Sequence, residues 1–275
     1  MAANLELQRV NEWNGLRGFS NLFRKENRAW WGTRRWWINA LLWPVLMCGL
    51  LANMLFVPTV ANLATEADIA RAGGLTAHIL LMGLSVFFEF GTTVLALGAV
   101  VLTQDAILGE KQSGVAEWLL AKPIARRSYI LAKLAANAVP MLVLMVGAPA
   151  AIAYGMFSLR SGALFPWMPF LSAVGIMIVH AFFYLTLTLM LGTIFNNRGP
   201  ILGIALGSVL GGSLLGGLFK PLMYVTPWML PKIASLTASS QAVPPEIGFA
   251  PLVATVLWSV VFVIVALAKY EKTEF

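Results

Sequence analysis

Six stretches of this chain are too long and too apolar for a water-facing surface: about Trp36 to Val57, His78 to Leu102, Tyr129 to Met156, Trp167 to Phe195, Pro200 to Leu218 and Pro251 to Leu267. A helix needs about 20 predominantly apolar residues to cross a bilayer, and in lipid only a helix or a closed barrel satisfies its own backbone. A soluble helical protein would instead show polar stripes at helical spacing opposite each apolar face. Met141 to Tyr154 and Leu252 to Leu267 are essentially apolar on every side. The composition agrees, with 59% hydrophobic residues, 11% charged and a mean hydropathy of +0.79. The expected fold is an all-α membrane protein with six transmembrane helices forming one domain over residues 1–275.

Orientation follows from the basic residues, which concentrate in cytoplasmic loops. Fifteen of the nineteen fall on one side: Arg9, Arg17, Arg24, Lys25, Arg28, Arg34 and Arg35 before the first span; Lys111, Lys122, Arg126, Arg127 and Lys133 between the second and third; Arg198; and Lys269 and Lys272. The other side has Arg71, Arg160, Lys220 and Lys232. Both termini are therefore expected in the cytoplasm, with the chain multi-pass in the cell membrane. The net charge of +7 then reflects orientation and anionic headgroups and needs no nucleic-acid partner.

The first thirty or so residues are polar and the first apolar run is long enough to span, so it reads as an uncleaved anchor. Residues 18–37 interleave Phe19, Leu22, Phe23, Trp30, Trp31, Trp36 and Trp37 with Arg24, Lys25, Arg28, Arg34 and Arg35, the signature of a helix lying along the inner surface. Cys48 lies inside the first run and is a small packing residue. Asn62 to Gly74, with Glu66, Asp68 and Arg71, reads as a solvated loop.

Residues 104–127 interrupt the apolar pattern and, by the charge count, face the cytoplasm. Asp105 and Glu110 stand just below the second span, and Gly109 and Gly114 bend the path. Val115 to Ala121 can form a short helix with Trp118, Leu119 and Leu120 exposed until Pro123 stops it. Exposed Trp-Leu-Leu is costly unless covered, either by the protein's own helix ends and the headgroups or by a partner.

The pattern Asp105-x-Ile107-x-Gly109-Glu110-Lys111-x-x-Gly114, Leu119-Leu120-x-x-Pro123-x-x-Arg126 and then Lys133 resembles the cytoplasmic loop of ABC-2 type transporter permeases, the membrane subunits of one class of ATP-binding-cassette exporters. Length, span number, termini and the amphipathic N-terminal segment are similar too; Val115 departs from the Thr often found there. The resemblance implies that the short helix is a coupling helix seated in a groove of a nucleotide-binding subunit. Glu110, Glu117 and Arg126 would make polar contacts, and Trp118, Leu119 and Leu120 would fill the groove or support the helix from behind. A smaller contact is implied at Asn196-Asn197-Arg198, where an ordinary tight turn is the plainer reading. Such permeases work as pairs, so two permease and two ATPase copies are implied, with ATP and Mg bound by the ATPase and no cofactor or metal bound by this chain.

No segment fits G-x-x-x-x-G-K-[ST]; Gly109-Glu-Lys-Gln-Ser-Gly114 lacks the lysine after its second glycine. ATP hydrolysis is thus expected on a separate polypeptide, this chain being non-catalytic. Inside the spans, Glu89 is the costly residue, since an ionised carboxylate at mid-bilayer costs about 2.5–3.5 kcal/mol on insertion scales. His180 is its expected partner, with Tyr184 one turn further on the same face, the set either fixing helix packing or lining a substrate path. Gly199, Gly203, Gly207 and Gly211 recur every four residues, a smooth stripe for packing within the chain or, as the family resemblance implies, for a dimer-centred pathway. Residues 219–250, broken by Pro221, Pro227, Pro231, Pro244 and Pro245, read as short helices in the outer leaflet. Three functions follow: an exporter permease; a permease-like transmitter of ATP turnover to an extracytoplasmic partner; and, remotely, an intramembrane enzyme, for which Glu89 and His180 are too few.

Overall fold

The computed structural model describes residues 16–57, 64–120, 124–215, 220–245 and 248–272, with the backbone alone described at Glu117, Leu120, residues 212–215 and Lys220. Pro123, the expected stop of the coupling helix, lies outside them. Among the described residues there are helices and no strands. Helix α1 (Phe19–Trp31) precedes α2 (Arg35–Phe56) and the short α3 (Glu66–Ala72). Then α4 (Leu75–Ser85), a π turn at Val86–Phe90, α5 (Gly91–Thr103) and α6 (Asp105–Gln112) run on as one 38-residue rod, Leu75–Gln112.

Next come α7 (Val115–Leu120), α8 (Arg126–Pro140), a second π turn (Met141–Gly147) and α9 (Ala148–Ser161). They are followed by α10 (Trp167–Ile194), α11 (Arg198–Leu215), α12 (Lys220–Val225), a 3-10 turn (Pro227–Met229), α13 (Leu230–Ala238) and α14 (Ala250–Glu271).

Five helices are long and apolar enough to cross a membrane: Arg35–Phe56, Leu75–Gln112, Arg126–Ser161, Trp167–Ile194 and Ala250–Glu271. The expected sixth span is α11, whose described apolar stretch, Arg198–Gly211, is shorter than the others. Two expectations change here. The polar segment after Leu102 does not leave the helix at once, because Asp105, Glu110 and Lys111 find partners on neighbouring elements and α6 extends the second span. Residues 66–72 form α3 instead of a loop: the Thr65 side chain accepts a hydrogen bond from the Asp68 amide, and Gly73 closes the helix at φ +83°.

The 28-residue α10 is the axis of the bundle, packed by α14, α13, α5, α11, α6 and α8. An aromatic cluster fills the end remote from the basic residues: Phe170 lies between Phe87, Phe88, Phe157, Phe165 and Tyr154, with ring centroids 5.4–6.3 Å away. The Tyr154 hydroxyl donates to the Phe165 carbonyl at 2.9 Å, which ties the α9–α10 connection to this cluster.

Helix α2 approaches α5 closely at two glycines, with Met47 over Gly91 and Trp43 over Gly98. Asn39 donates to the Arg35 carbonyl and accepts from Trp43 Nε1, both at 2.8 Å, which fixes the Trp43 ring over Gly98. A Cβ on Gly98 would lie 1.9 Å from that ring. Gly98→Ala should therefore overpack the contact and cost about 1–3 kcal/mol. A thermal melt of the purified variant checks this, and an unshifted transition would mean that the ring yields freely.

Candidate functional site

The basic residues gather at one end of the bundle, where α1 runs alongside α8. Its apolar stripe, Phe19, Leu22, Phe23 and Trp30, recurs at helical spacing and packs on α8. Trp30 Nε1 donates to Asn137 Oδ1 at 3.1 Å, and Asn137 donates to the Lys133 carbonyl at 2.8 Å. Glu26 falls in the same stripe, so a carboxylate points at the packed face of α1.

Lys133 answers it. Its ammonium, with a side chain only 3% exposed, lies 3.1 Å from Glu26 Oε1 and 3.1 Å from Glu110 Oε2. Glu110 also accepts from Lys25 Nζ at 2.5 Å and from the Tyr129 hydroxyl at 2.6 Å. Tyr129 stacks on Tyr270 of α14, ring centroids 4.9 Å apart and interplanar angle 4°. Three chain segments, α1, α6 and α8, thus share one ionic clamp, and its tyrosine carries it to α14. Partial burial pushes the Lys25 ammonium down, but the hydrogen bond and charge of Glu110, with Glu26 behind them, lift it above the ordinary lysine range. The stability it contributes is present at neutral pH and is lost only as pH rises through that raised value.

A second set of contacts ties α6 to the turn between α10 and α11. Lys111 Nζ donates to the Thr193 carbonyl at 2.8 Å, capping the C-terminal end of α10, and reaches Asn196 Oδ1 at 3.4 Å. Gln112 donates to the Asn196 carbonyl at 3.2 Å, and Arg198 Nε pairs with Asp105 Oδ1 at 2.9 Å. Asn197 and Arg198 are exposed beside it.

Beyond Gln112 the chain reverses through Gly114, whose φ of +72° falls in the left-handed region that favours glycine. It then forms α7. One expectation is corrected in part: Trp118 is 62% exposed, but Leu119 is buried against α1, between Leu22 and Ile124. Ala116 is also buried, and the start of α1 is tied to the residues after α7 by Gly18 against Ile124 and by the Ala125 amide donating to the Arg17 carbonyl. Arg126 Nη1 donates to the Glu271 carbonyl at 2.7 Å, and Arg127 pairs with the Glu271 carboxylate, closing the end of α14.

Within the spans the expected Glu89–His180 pair does not form. Glu89 sits on the π turn and is exposed, without a side-chain hydrogen bond or ion pair to any described residue. His180 is buried, its Nδ1 without a partner, with Tyr184 at a ring-centroid distance of 5.1 Å. The two border a cavity of about 130 Å³ with Thr93, Val209 and Trp228. Tyr184 and Trp228 both donate to the Ser208 carbonyl, at 3.4 and 2.7 Å. Gly203 and Gly207 are exposed, with open space where a Cβ would stand, while Gly211 is buried.

Reasoning from the sequence missed Lys25, Glu26 and Tyr129 as members of the basic-end site and took Lys133 only as part of a pattern. The usable signal was the acid inside the apolar stripe of α1, which demands a buried base somewhere else in the chain.

No curated protein matches this chain significantly. A family model described as ABC-2 family transporter protein matches residues 20–275, from α1 through α14. With five helices long and apolar enough to cross a membrane over that same stretch, the chain belongs to the ABC-2 transporter family, as a multi-pass permease component of an ABC transporter.

Proposed function

We propose that this chain is the permease subunit of an ATP-driven exporter, in which two copies form a translocation pathway and two cytoplasmic ABC ATPase subunits, carrying ATP and Mg, drive it. The basic end faces the cytoplasm, in keeping with the excess of Lys and Arg there. Helix α7 is the coupling helix. The observation that carries this reading is Trp118, a large exposed aromatic on a short helix whose other face, Ala116 and Leu119, is packed against the chain itself. A tryptophan presented on a supported helix is the kind of anchor that dominates protein interfaces. Because α6 precedes α7 and is held by the clamp and by Lys111, a push on α7 reaches the second span without being absorbed by a loose loop.

A second copy answers two further features. Glu89 at the lateral surface is costly against lipid and acceptable against a polar pathway, and the open stripe of Gly203 and Gly207 suits close approach of another helix. Trp118→Asp, made in the complete transporter, should weaken retention of the ATPase on purification by roughly thirtyfold, about 2 kcal/mol for loss of an interface anchor, with membrane insertion unchanged. Full retention of the ATPase by that variant would remove α7 from the interface.

A further inference from the structure

Beside the clamp, between α1, the start of α2, the α5–α6 junction and α8, lies a cavity of about 390 Å³. We propose that it holds the headgroup of a phospholipid bearing a primary amine, a phosphatidylethanolamine, with the phosphate on Arg35 and the ammonium between Glu26 and Asp105. Its depth fits. Arg35 opens α2 immediately before that helix's apolar run, Leu102 ends the apolar run of the second span, and Lys133 and Asn137 lie near the start of the third, so the cavity sits where hydrocarbon gives way to water.

Its chemistry is two-signed. The Arg35 guanidinium makes no hydrogen bond or ion pair with a described residue, although its backbone carbonyl accepts from Asn39, and a free guanidinium at this depth is a phosphate ligand. Lys133 also lines the cavity but is already engaged by Glu26 and Glu110. On the acidic side, Glu26 uses Oε1 for Lys133 and Lys25, and its Oε2 accepts nothing from a described residue; Asp105 meets Arg198 through Oδ1 alone. A bare phosphate would leave these acceptors facing an anion. A choline headgroup has no N–H to give them, whereas a primary ammonium has three. Asn137 also lines the cavity but is engaged by Trp30 and the Lys133 carbonyl, and the apolar part of the wall is Ala29, Trp30, Leu102 and the exposed Val101, surface against which the first carbons of an acyl chain would lie. This favours the lipid over a soluble phosphoamine.

Native mass spectrometry of the detergent-purified full chain tests the assignment, with dioleoyl phosphatidylethanolamine, phosphatidylcholine and phosphatidylglycerol added at equal concentration. The ethanolamine lipid should give at least fivefold more adduct than the choline lipid, and glycerophosphoethanolamine, the same headgroup without chains, should give none at that concentration. The Arg35 guanidinium makes no hydrogen bond or ion pair with a described residue, so Arg35→Gln should fold normally and lower the ethanolamine-lipid adduct at least fivefold by removing the phosphate ligand. Glu26→Gln removes an acceptor of the amine and should bring the ethanolamine and choline adducts within twofold of each other. Equal adducts in the native chain, or an ethanolamine adduct undiminished by Arg35→Gln, overturn the site. Phosphatidylglycerol binding as strongly as phosphatidylethanolamine overturns the role of the amine, and equal binding of glycerophosphoethanolamine overturns the lipid.

Discussion

Lys133→Met should destabilise the folded protein by about 3–5 kcal/mol, the cost of removing one partner from a buried ion pair and leaving uncompensated charge behind. The side chain is 3% exposed and stands 3.1 Å from each of two carboxylates, so its loss strands Glu26 and Glu110 together between α1, α6 and α8. Lys25 touches the same two acids, but its side chain is 45% exposed, and an exposed pair contributes at most about 1 kcal/mol. Lys25→Ala should therefore melt within a few degrees of the native protein, while Lys133→Met melts far below it. The triple change Glu26→Gln, Glu110→Gln, Lys133→Met removes the three more buried charges and should recover most of the loss, because the one ion left, Lys25, is 45% exposed and keeps its water. Fluorescence-monitored melting in detergent separates the three variants. Lys133→Met melting with the native protein would mean that the clamp does not hold α1 in place.

Phe170→Ala should cost about 3 kcal/mol, at the other end of the bundle. In a membrane protein the hydrophobic transfer term is reduced, since lipid tails are as apolar as the interior, and what remains is the cavity and the lost dispersion contacts. Those are large here. Phe170 is 2% exposed and makes ring contacts with five aromatic neighbours, including Phe87 and Phe88 at the π turn of the second span, which cannot all move into the space it leaves. Phe170→Leu fills most of the volume and should lose about half as much. A melt of Phe170→Ala indistinguishable from the native one would show that the α9–α10 connection collapses to close the cavity.

How far these features could be read in advance depends on the range of the interaction that makes them. Apolar length is a local property, and five of the expected spans emerge as long helices with ends within a few residues of the hydrophobic runs, apart from the second and third, which continue past their polar boundaries. Spacing along one helix is nearly as local: the stripe of α1 and the reversal at Gly114 were visible as patterns. What stayed hidden was pairing across the chain. Glu26 and Lys133 are 107 positions apart, and nothing in either neighbourhood names the other. Leu119 looked exposed because α7 was read as a helix in water, whereas the start of α1 packs against it. The π turn is equally invisible, since Val86–Phe90 is ordinary sequence apart from Glu89, and Glu89 on it is exposed and unpaired with the buried His180.

The continuity of the second span sets a mechanical scale. At 1.5 Å per residue its 38 residues reach about 57 Å, so a rigid tilt of about 5° displaces one end relative to the other by about 5 Å. That is close to one helical pitch, obtained without bending any bond in the middle. Under the proposed coupling, a displacement of that size at one surface needs only a small angular change along the rod, and the wide turn at Val86–Phe90 interrupts the rod's regular α-helical hydrogen bonding partway along it.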